Sequence, residues 1–387
     1  MSKNRLFLSV TVFLLISMII AGLSGRFADS GLLIIGFFIS LALFFSTRDS
    51  LRSYIYTISI FASVSAAMFY PGLFVRWGNF NVALLITPLI QLIMFGMGTS
   101  MSLGDFGGVI KNPKGVLVGV VSHFIIMPLL GFLLAKSSGL EAEIAAGIIL
   151  LGCSPNGMAS NVISYLAKAN LALSVTITAV STMLAPFLTP LLMKWLANSF
   201  IEINMLHMMW DISKMVILPI AAGLLFNHFL RGKVRWLDKA MPLVSMAGVA
   251  FSIVVIVAAG RDSLLTIGPL LLGLLVIHNL AGYFLGYSFA RFFRMSERDC
   301  RTVAIEVGMQ NAGLATGIAK EMGKLATTGL APAIFGSLMN ITGSVLASWW
   351  HKREPLENPE VPILQPEEKN LQQSTLLTAN TKNTSDV

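Results

Sequence analysis

Long apolar runs alternate with short polar stretches along most of the chain. Most of the runs are close to the roughly 20 residues that cross a hydrocarbon core as a helix. The twelve runs span about 5–23, 31–47, 53–73, 81–102, 114–136, 143–167, 171–196, 207–230, 241–260, 264–293, 301–322 and 329–350. This pattern predicts an all-α integral membrane protein with about 12 transmembrane helices.

Two of these runs are interrupted in the middle. Segment 143–167 contains CSPNGMASN, in which Pro155 lacks a backbone donor and Gly157 loosens the helix. Segment 301–322 contains AIEVGMQNAGLA, in which Gln310 and Asn311 follow an apolar stretch. Non-helical backbone at membrane depth is tolerated where it is buried in protein or lines a cavity. Both helices are therefore expected to be broken near mid-membrane.

The interruptions occupy matching places in two five-helix blocks, 53–197 and 206–350. Asn161 and Asn311 lie 150 residues apart, and a polar residue precedes each of them. Because five is odd, the two blocks enter the membrane from opposite sides and form inverted repeats. Paired interrupted helices in such repeats indicate the binding site of a secondary transporter.

Composition supports the membrane assignment. Hydrophobic residues make up 55% of the 387 residues, charged residues make up 12%, and mean hydropathy is +0.77. A soluble domain carries about a quarter charged residues. The net charge of +8 could suggest nucleic acid, but the basic residues sit at the ends of apolar runs. That placement follows the positive-inside rule, so the predicted partner is the lipid bilayer and not nucleic acid.

The same rule sets the orientation. Seventeen Lys and Arg residues flank the segments on the N-terminal side of the membrane, against seven on the opposite side. Both termini are expected in the cytoplasm, with the chain in the inner (plasma) membrane. Residues 1–52 supply two extra N-terminal helices; the first could be a signal peptide, but its apolar stretch favours a retained helix. The polar residues 351–387 are expected to form a disordered cytoplasmic tail.

Glu306 is the only carboxylate deep in segment 301–322, and a bare charge there is costly. Neutral oxygens come from Ser160, Asn161, Ser174 and Thr178, the last two on one helix face. Unwound backbone beyond Glu306 would free carbonyls as well. Oxygen ligands with a single carboxylate suit a hard monovalent cation such as sodium. A proton carried by Glu306 itself is the main rival, and the sequence has no His or Cys cluster for a transition metal.

Four separated stretches resemble the bile acid:sodium symporter (BASS) family. They are GCSPNGMASNVISYLAKANLALSVTITAVST, AIEVGMQNAGLA, IMFGMGTSMSLGDF and HNLAGYFLGY. The resemblance covers about 53–350, so segments 5–23 and 31–47 are extra to the ten-helix family core. It implies two inverted five-helix repeats that build two domains, with segments 143–167 and 301–322 crossing at mid-membrane. The panel domain would hold segments 53–73, 81–102, 207–230 and 241–260, and the core domain the other six.

The resemblance also implies two sodium sites. The first would use Ser160, Asn161, Ser174, Thr178 and Glu306. The second would use Glu306, Gln310, the carbonyls of Val307 and Met309, and one side chain from segment 114–136.

At that last position the family usually has Gln, whereas this chain has His123. Imidazole nitrogen is a poor sodium ligand, and an imidazolium would repel the ion. The second site would then bind sodium more weakly, be built from other ligands, or be replaced by a protonated His123. Alternatively, a neutral His123 forms hydrogen bonds nearby and the second sodium ion is kept. Our hypothesis is that transport depends on pH through His123, which an unchanged pH profile of His123→Gln would refute.

The helix N-termini at the crossing favour an anionic substrate. Asn311 and Asn340 are the expected side-chain donors, and Met158 and Met339 are expected to line the substrate site as well. The chain departs from the family at Asn156, which stands where the family often has Gly, and at Met158, where some bacterial members carry a small hydroxyl residue. Asn279, in a third family motif, is expected to make bonds between helices.

The sequence thus predicts a sodium-coupled symporter that imports a small organic anion by alternating access. A proton-coupled carrier on the same fold is the alternative. A related arsenite exporter would need a Cys after Pro155, and Cys153 lies before it. An enzyme is not expected, because no HExxH or GxSxG motif occurs. Which organic anion is carried stays open.

Overall fold

A computed structural model describes residues 3–25, 30–48, 51, 54–101, 104, 107–230 and 235–355. The first half of the chain contains α1 (Lys3–Leu23), α2 (Gly31–Ser46), α3 (Ile55–Phe69), α4 (Gly72–Val75), β1 (Arg76–Trp77), β2 (Phe80–Asn81), a 3-10 turn (Val82–Leu85), α5 (Ile86–Ser100), α6 (Gly108–Lys111), α7 (Pro113–Ser137), α8 (Ala142–Cys153), α9 (Ala159–Leu166) and α10 (Leu171–Leu196). The second half contains α11 (Met205–Met215), α12 (Ile217–Leu230), α13 (Arg235–Ala259), α14 (Arg261–Phe292), α15 (Glu297–Gly308), α16 (Ala312–Glu321) and α17 (Leu330–His351).

These elements confirm the predicted all-α membrane fold. Among the described residues, seven helical segments, one of them the consecutive pair α11 and α12, are long and apolar enough to cross a membrane, and four shorter helices are also apolar. Each of the twelve apolar runs corresponds to one helix or to a pair of consecutive helices. Residues 356–387, which include most of the predicted tail, lie outside the described residues. The division into two repeats and two domains stays a prediction.

Two local features differ from the expected pattern. Run 207–230 forms two helices, α11 and α12, that are interrupted at Val216. Pro219 explains the interruption, because it has no N–H to donate to the carbonyl four residues earlier. The short antiparallel pair β1–β2, in which Trp77 faces Phe80, lies between two predicted helices and was not expected.

The helices approach each other closely where both partners carry glycine. Gly98 on α5 and Gly223 on α12 face the partner backbone, and a Cβ on Gly98 would lie 2.4 Å from the Ile220 carbonyl oxygen. Small residues permit such contacts in membrane bundles. The extra helices α1 and α2 are joined by the hydroxyls of Thr11 and Ser40 at 3.0 Å, and α2 packs on α3.

Candidate functional site

The breaks in the two interrupted helices bond to each other. Helix α8 ends at Cys153 and α9 begins at Ala159, while α15 ends at Gly308 and α16 begins at Ala312. The Gly157 N–H donates to the Met309 carbonyl at 3.2 Å, and the Asn311 N–H donates to the Pro155 carbonyl at 2.7 Å. Asn156 and Gln310 are the paired residues of this short antiparallel bridge. Backbone groups that the breaks release from helical bonding are thereby satisfied.

The sequence at each break favours this geometry. A Cβ on Gly157 would lie 2.9 Å from the Gln310 carbonyl oxygen, so the close approach needs a residue without a side chain. Asn311 caps α16, since its side-chain oxygen accepts from the Leu314 N–H at 3.0 Å. The interruption therefore leaves few backbone groups without a hydrogen-bond partner.

Glu306 lies in the last turn of α15, and its residue surface is 0% exposed. Ser174 donates to one carboxylate oxygen, and Thr178 donates to the other at 3.0 Å. Within the described residues, no Lys, Arg or His side chain forms an ion pair with this carboxylate. A buried carboxylate with hydroxyl partners and no cationic side chain is an incomplete charge arrangement.

The remaining oxygens of the predicted first site gather around the same carboxylate. Asn161 Oδ1 lies 2.8 Å from the Ser174 hydroxyl and 3.4 Å from the Thr178 hydroxyl. The Ser160 hydroxyl lies 3.4 Å from that of Thr178 and donates to the Gly157 carbonyl at 2.7 Å. All five residues predicted for the first site are thus brought together.

This cluster has more acceptor oxygens than protons to bridge them. The hydroxyls of Ser174 and Thr178 each face both Asn161 Oδ1 and a carboxylate oxygen of Glu306, and each hydroxyl carries one proton. A hard cation satisfies surplus oxygen lone pairs, and one carboxylate balances a single positive charge. The arrangement can hold a monovalent cation. In the described part of the chain, no group of three or more His, Cys, Asp or Glu residues is arranged to hold a metal ion.

Helix α10 is held in place from its first turn. Asn170 caps its N-terminus, and the Asn170 amide nitrogen donates to Asp299 on α15 at 2.7 Å. The Thr302 hydroxyl of α15 accepts from the Asn170 N–H at 2.9 Å. Because Ser174 and Thr178 lie one and two turns further on, these bonds set their register against Glu306.

His123 and Gln310, which are predicted for the second site, contact backbone carbonyls near the end of α15. His123 on α7 is fully buried; its Nε2 lies 2.9 Å from the Ser154 carbonyl oxygen and its Nδ1 lies 3.2 Å from that of Glu306. The ring therefore bridges the ends of two broken helices. The side chain of Gln310 donates to the Val307 carbonyl at 2.8 Å, while its buried Oε1 has no hydrogen-bond partner.

The carbonyls of Val307 and Met309, which were expected to be free for an ion, each accept one hydrogen bond, and their role as ion ligands stays a prediction. Helix α15 continues through Val307 to Gly308. The carbonyl of Val307 accepts from Gln310, and that of Met309 accepts from Gly157. Both oxygens are already bonded, because the two breaks and the Gln310 side chain replace the lost helical donors. Gln310 Oε1 is a buried side-chain acceptor without a hydrogen-bond partner at this position.

The four residues predicted to bind substrate do not all lie in the same environment. Met158 lies at the start of α9 and is 38% exposed, whereas Met339 is 7% exposed and packs in the hydrophobic core. The Asn340 amide nitrogen donates to the Gly336 carbonyl of its own helix at 2.8 Å. Asn311 uses its amide oxygen as a helix cap, which leaves its NH₂ group as the side-chain donor for a ligand.

Two further buried polar residues bond near the site; Ser181 was not assigned from the sequence, whereas Asn279 was expected to bond between helices. Ser181 donates to Asn156 Oδ1, one turn beyond Thr178, which ties the first break to α10. Asn279 on α14 donates to the Gly308 carbonyl at 2.9 Å and accepts from Thr342 at 2.6 Å, in line with the expected bonds between helices.

Arg301 joins the ends of three helices. Its guanidinium donates to the carbonyls of Ala167, Trp350 and Arg353 at 3.1 to 3.3 Å and pairs with Glu297 at 3.0 Å. Arginine can serve several acceptors at once because its donors form a rigid fork. In the sequence, the position of Arg301 at the start of an apolar run was the feature that could have indicated this role.

An ion pair joins the α9–α10 loop to the end of α17. The Lys168 ammonium, which hydrogen-bonds the Glu354 carboxylate, holds the pKa of that carboxyl below its usual range. Both groups lie beyond the membrane-spanning helices. Loop and helix end are therefore held together at this side of the protein.

The chain is similar to known sodium-dependent transporters. The model of the Sodium Bile acid symporter family matches residues 87–267. The "Uncharacterized sodium-dependent transporter YocS" of Bacillus subtilis (strain 168) is 39% identical over 290 residues, 73% of this chain and 87% of that protein. The "Probable sodium/metabolite cotransporter BASS1, chloroplastic" of Arabidopsis thaliana is 33% identical, over 69% of this chain and 66% of that protein. The "Ileal sodium/bile acid cotransporter" of Oryctolagus cuniculus is 32% identical, over 62% and 72%.

Proposed function

The chain belongs to the Sodium Bile acid symporter family, whose members are transporters and not enzymes, and we propose that it imports a small organic anion together with sodium by alternating access. The observation that carries the proposal is the fully buried Glu306 carboxylate, held by hydroxyl groups and surrounded by surplus oxygen acceptors. A coupling ion is the group that such a carboxylate requires.

Sodium would bind among Ser160, Asn161, Ser174, Thr178 and Glu306. These residues come from α9, α10 and α15, so the ion would join both interrupted helices to the intact helix between them. Without the ion, the Glu306 charge would strain this junction. With it, the breaks would be fixed in the geometry that the substrate meets.

The second ion position is proposed to differ from the first. His123 fills the space between the Ser154 and Glu306 carbonyls with a ring that offers nitrogen and no oxygen. Among the residues predicted for the second site, Gln310 offers an unsatisfied side-chain oxygen, Oε1. We therefore assign one strongly bound sodium ion to the first site and a weak or absent second ion.

The anion would bind near the breaks. The NH₂ group of Asn311 and the exposed side of Met158 are the features of this chain that could meet it. Helix N-termini at α9 and α16 add backbone donors, which favour negative charge. An aliphatic carboxylate or sulfonate fits this combination of donors and apolar surface.

Contacts on the side predicted to face outward support alternating access. The Thr87 hydroxyl on α5 donates to Glu321 on α16 at 2.6 Å, and a Cβ on Gly317 would lie 2.5 Å from Ile90. The predicted panel and core therefore touch closely on that side. On the opposite side, Val162 and Tyr165 of α9 are 60% and 69% exposed. These features are those expected of a state closed to the outside.

The proposal is tested by uptake into proteoliposomes with a panel of labelled organic anions. An inward sodium gradient should drive accumulation of at least one anion above its equilibrium level. The same anion should not accumulate under a proton gradient in sodium-free buffer. Accumulation with protons alone would instead support the proton-coupled alternative, and release of a chemically altered product would point to a different activity.

A further inference from the structure

Two side-chain amides lie on one face of the bridge that joins the helix breaks. Asn156 and Gln310 are the paired residues of this bridge, and one backbone hydrogen bond lies on each side of the pair. In an antiparallel pair of this kind, the paired residues are not bonded to each other, and their Cα atoms lie about 4.5 Å apart. Their side chains point to the same face and are close neighbours.

Each amide has one end bonded and one end without a partner. Asn156 Oδ1 accepts from the Ser181 hydroxyl, and Gln310 Nε2 donates to the Val307 carbonyl at 2.8 Å. Among the described residues, Asn156 Nδ2 and Gln310 Oε1 have no hydrogen-bond partner, although both side chains are fully buried. The first is a donor and the second is an acceptor. Because buried polar atoms are nearly always paired, a small group that serves both atoms is expected here.

A second sodium ion does not fit this position. The family resemblance makes Gln310 a ligand of that ion, which would then be the partner of Oε1. Sodium is held by oxygen atoms, whereas the NH₂ group of Asn156 presents hydrogen atoms on the same face. His123 adds ring nitrogens that already face two carbonyl oxygens. The groups present suit a neutral ligand that both accepts and donates.

We propose that Asn156 and Gln310 hold one buried water molecule in place of the second sodium ion. The water oxygen accepts from Asn156 Nδ2, and one water O–H donates to Gln310 Oε1. Buried waters serve polar groups of this kind, with about two to four partners each. The water links the two helix breaks without adding charge. Asn156 thereby acts with His123 to keep the number of sodium ions at one.

A neutral ligand also agrees with the charge of the site. Glu306 contributes one negative charge, which a single sodium ion at the first site balances. A second cation needs further negative charge, and position 156 offers a neutral amide instead. The inference rests on the proposed function, because it takes sodium binding at the first site as given.

The test is a count of sodium ions bound to the purified full-length protein. The count uses equilibrium dialysis against radioactive sodium, at a concentration that saturates the first site. Wild type should bind one ion. Asn156→Asp keeps the side-chain size and the oxygen that accepts from Ser181, but it replaces the NH₂ donor with an acceptor. This variant should bind two ions, because two oxygen atoms then face one position and a second negative charge is present.

Asn156→Gly is the second variant. It also removes the donor and, unlike aspartate, it cannot carry a proton in the donor's place. Ser181 keeps a partner in this variant, since its hydroxyl also lies 3.1 Å from the Thr178 carbonyl. We expect a second ion here too, bound more weakly than in Asn156→Asp because it gains no carboxylate ligand. If Asn156→Asp does not yield folded protein, Asn156→Gly decides the question.

Two controls separate this role from a structural one. Asn227→Asp makes the same exchange where the amide of α12 donates to the Met101 carbonyl at 2.8 Å. Ser181→Ala removes the hydrogen bond that ties Asn156 to α10 but leaves the NH₂ group in place. Both controls should bind one ion, as wild type does.

Three results would overturn the proposal. They are two ions bound to wild type, one ion in both Asn156 variants, and two ions in either control. Each of these leaves the proposed function standing, because sodium still binds. A wild-type protein that binds no sodium would contradict the proposed function itself, and the inference would fail with it.

Discussion

The backbone N–H of Asn311 donates to the carbonyl oxygen of Pro155 at 2.7 Å, although the two residues lie far apart in the chain. This bond and its partner from Gly157 to Met309 make one short bridge out of two helix breaks. The oxygens of the proposed ion site lie beside the bridge, since the Ser160 hydroxyl donates to the Gly157 carbonyl. The geometry of the proposed sodium site therefore depends on how closely the breaks approach.

Gly157→Ala should impair transport strongly. The added methyl group would lie 2.9 Å from the Gln310 carbonyl oxygen, so the bridge must open and the Asn161 side chain must shift. We expect the sodium concentration for half-maximal uptake to rise by about tenfold, equivalent to about 1.4 kcal/mol. Gly273→Ala on α14 is the control, because nothing lies within 4 Å of its added Cβ. Equal sodium dependence in both variants would contradict the close-approach argument.

Thr178→Val should weaken sodium binding without changing side-chain volume. Its hydroxyl contacts Glu306 Oε2 at 3.0 Å and is one of the proposed oxygen ligands. Loss of one such ligand should cost about 1–2 kcal/mol, or roughly tenfold in sodium affinity. Thr176→Val is the matched control on the same helix, since that hydroxyl bonds the Ala172 carbonyl. The two variants are compared by sodium titration of uptake, and similar affinities would exclude Thr178 as a ligand.

His123→Gln should change the number of sodium ions that act together. Glutamine offers a side-chain oxygen where the ring now contacts the carbonyls of Ser154 and Glu306. We expect the Hill coefficient for sodium to rise from about one toward two, because a second ion gains an oxygen ligand. Uptake by the same variant is also measured as a function of pH. This measurement tests the sequence-based hypothesis that His123 makes transport pH-dependent.

The control for this change is His278→Gln, which alters another fully buried histidine. His278 Nε2 lies 3.0 Å from the Met127 carbonyl and takes no part in the proposed ion sites. Its Hill coefficient should stay at the wild-type value. An unchanged coefficient in His123→Gln, with sodium-driven uptake intact, would contradict the proposed role of position 123.

Arg301→Ala should destabilise the protein. The change leaves the Ala167 carbonyl without its donor, removes one of the two donors to the Trp350 carbonyl and removes the ion pair with Glu297. We expect a loss of about 3 kcal/mol in the free energy of unfolding. The thermal unfolding midpoint in detergent should fall by roughly 4 °C. Arg291→Ala, which removes an exposed arginine at the end of α14, should shift the midpoint little, and equal shifts would argue against the buried network.

The helices and their interruptions could be predicted because each has a local cause. Apolar runs reveal the spans, and the neighbouring Pro155 and Gly157 reveal the first break. Proline alone is a weak signal here, since Pro128 and Pro269 lie inside unbroken helices. Conversely, the interruption at Val216 was missed although Pro219 follows it closely.

The site could be predicted only as a set of residue types. The oxygen-rich group around Glu306 follows from spacing on the broken helices and from the family resemblance. Contacts between distant parts of the chain do not follow from them. Neither the bond from Asn340 to its own helix nor the burial of Met339 could be read from sequence, because both depend on how α17 packs.

The most direct test of the account is equilibrium binding of radioactive sodium to the purified protein and to Glu306→Gln. The variant keeps the size of the side chain and removes its charge, so nothing remains to balance a bound cation. We expect saturable binding to the wild type and to the exposed-site control Glu141→Gln, and an affinity lower by at least about tenfold in Glu306→Gln. Undiminished sodium affinity in Glu306→Gln would contradict it.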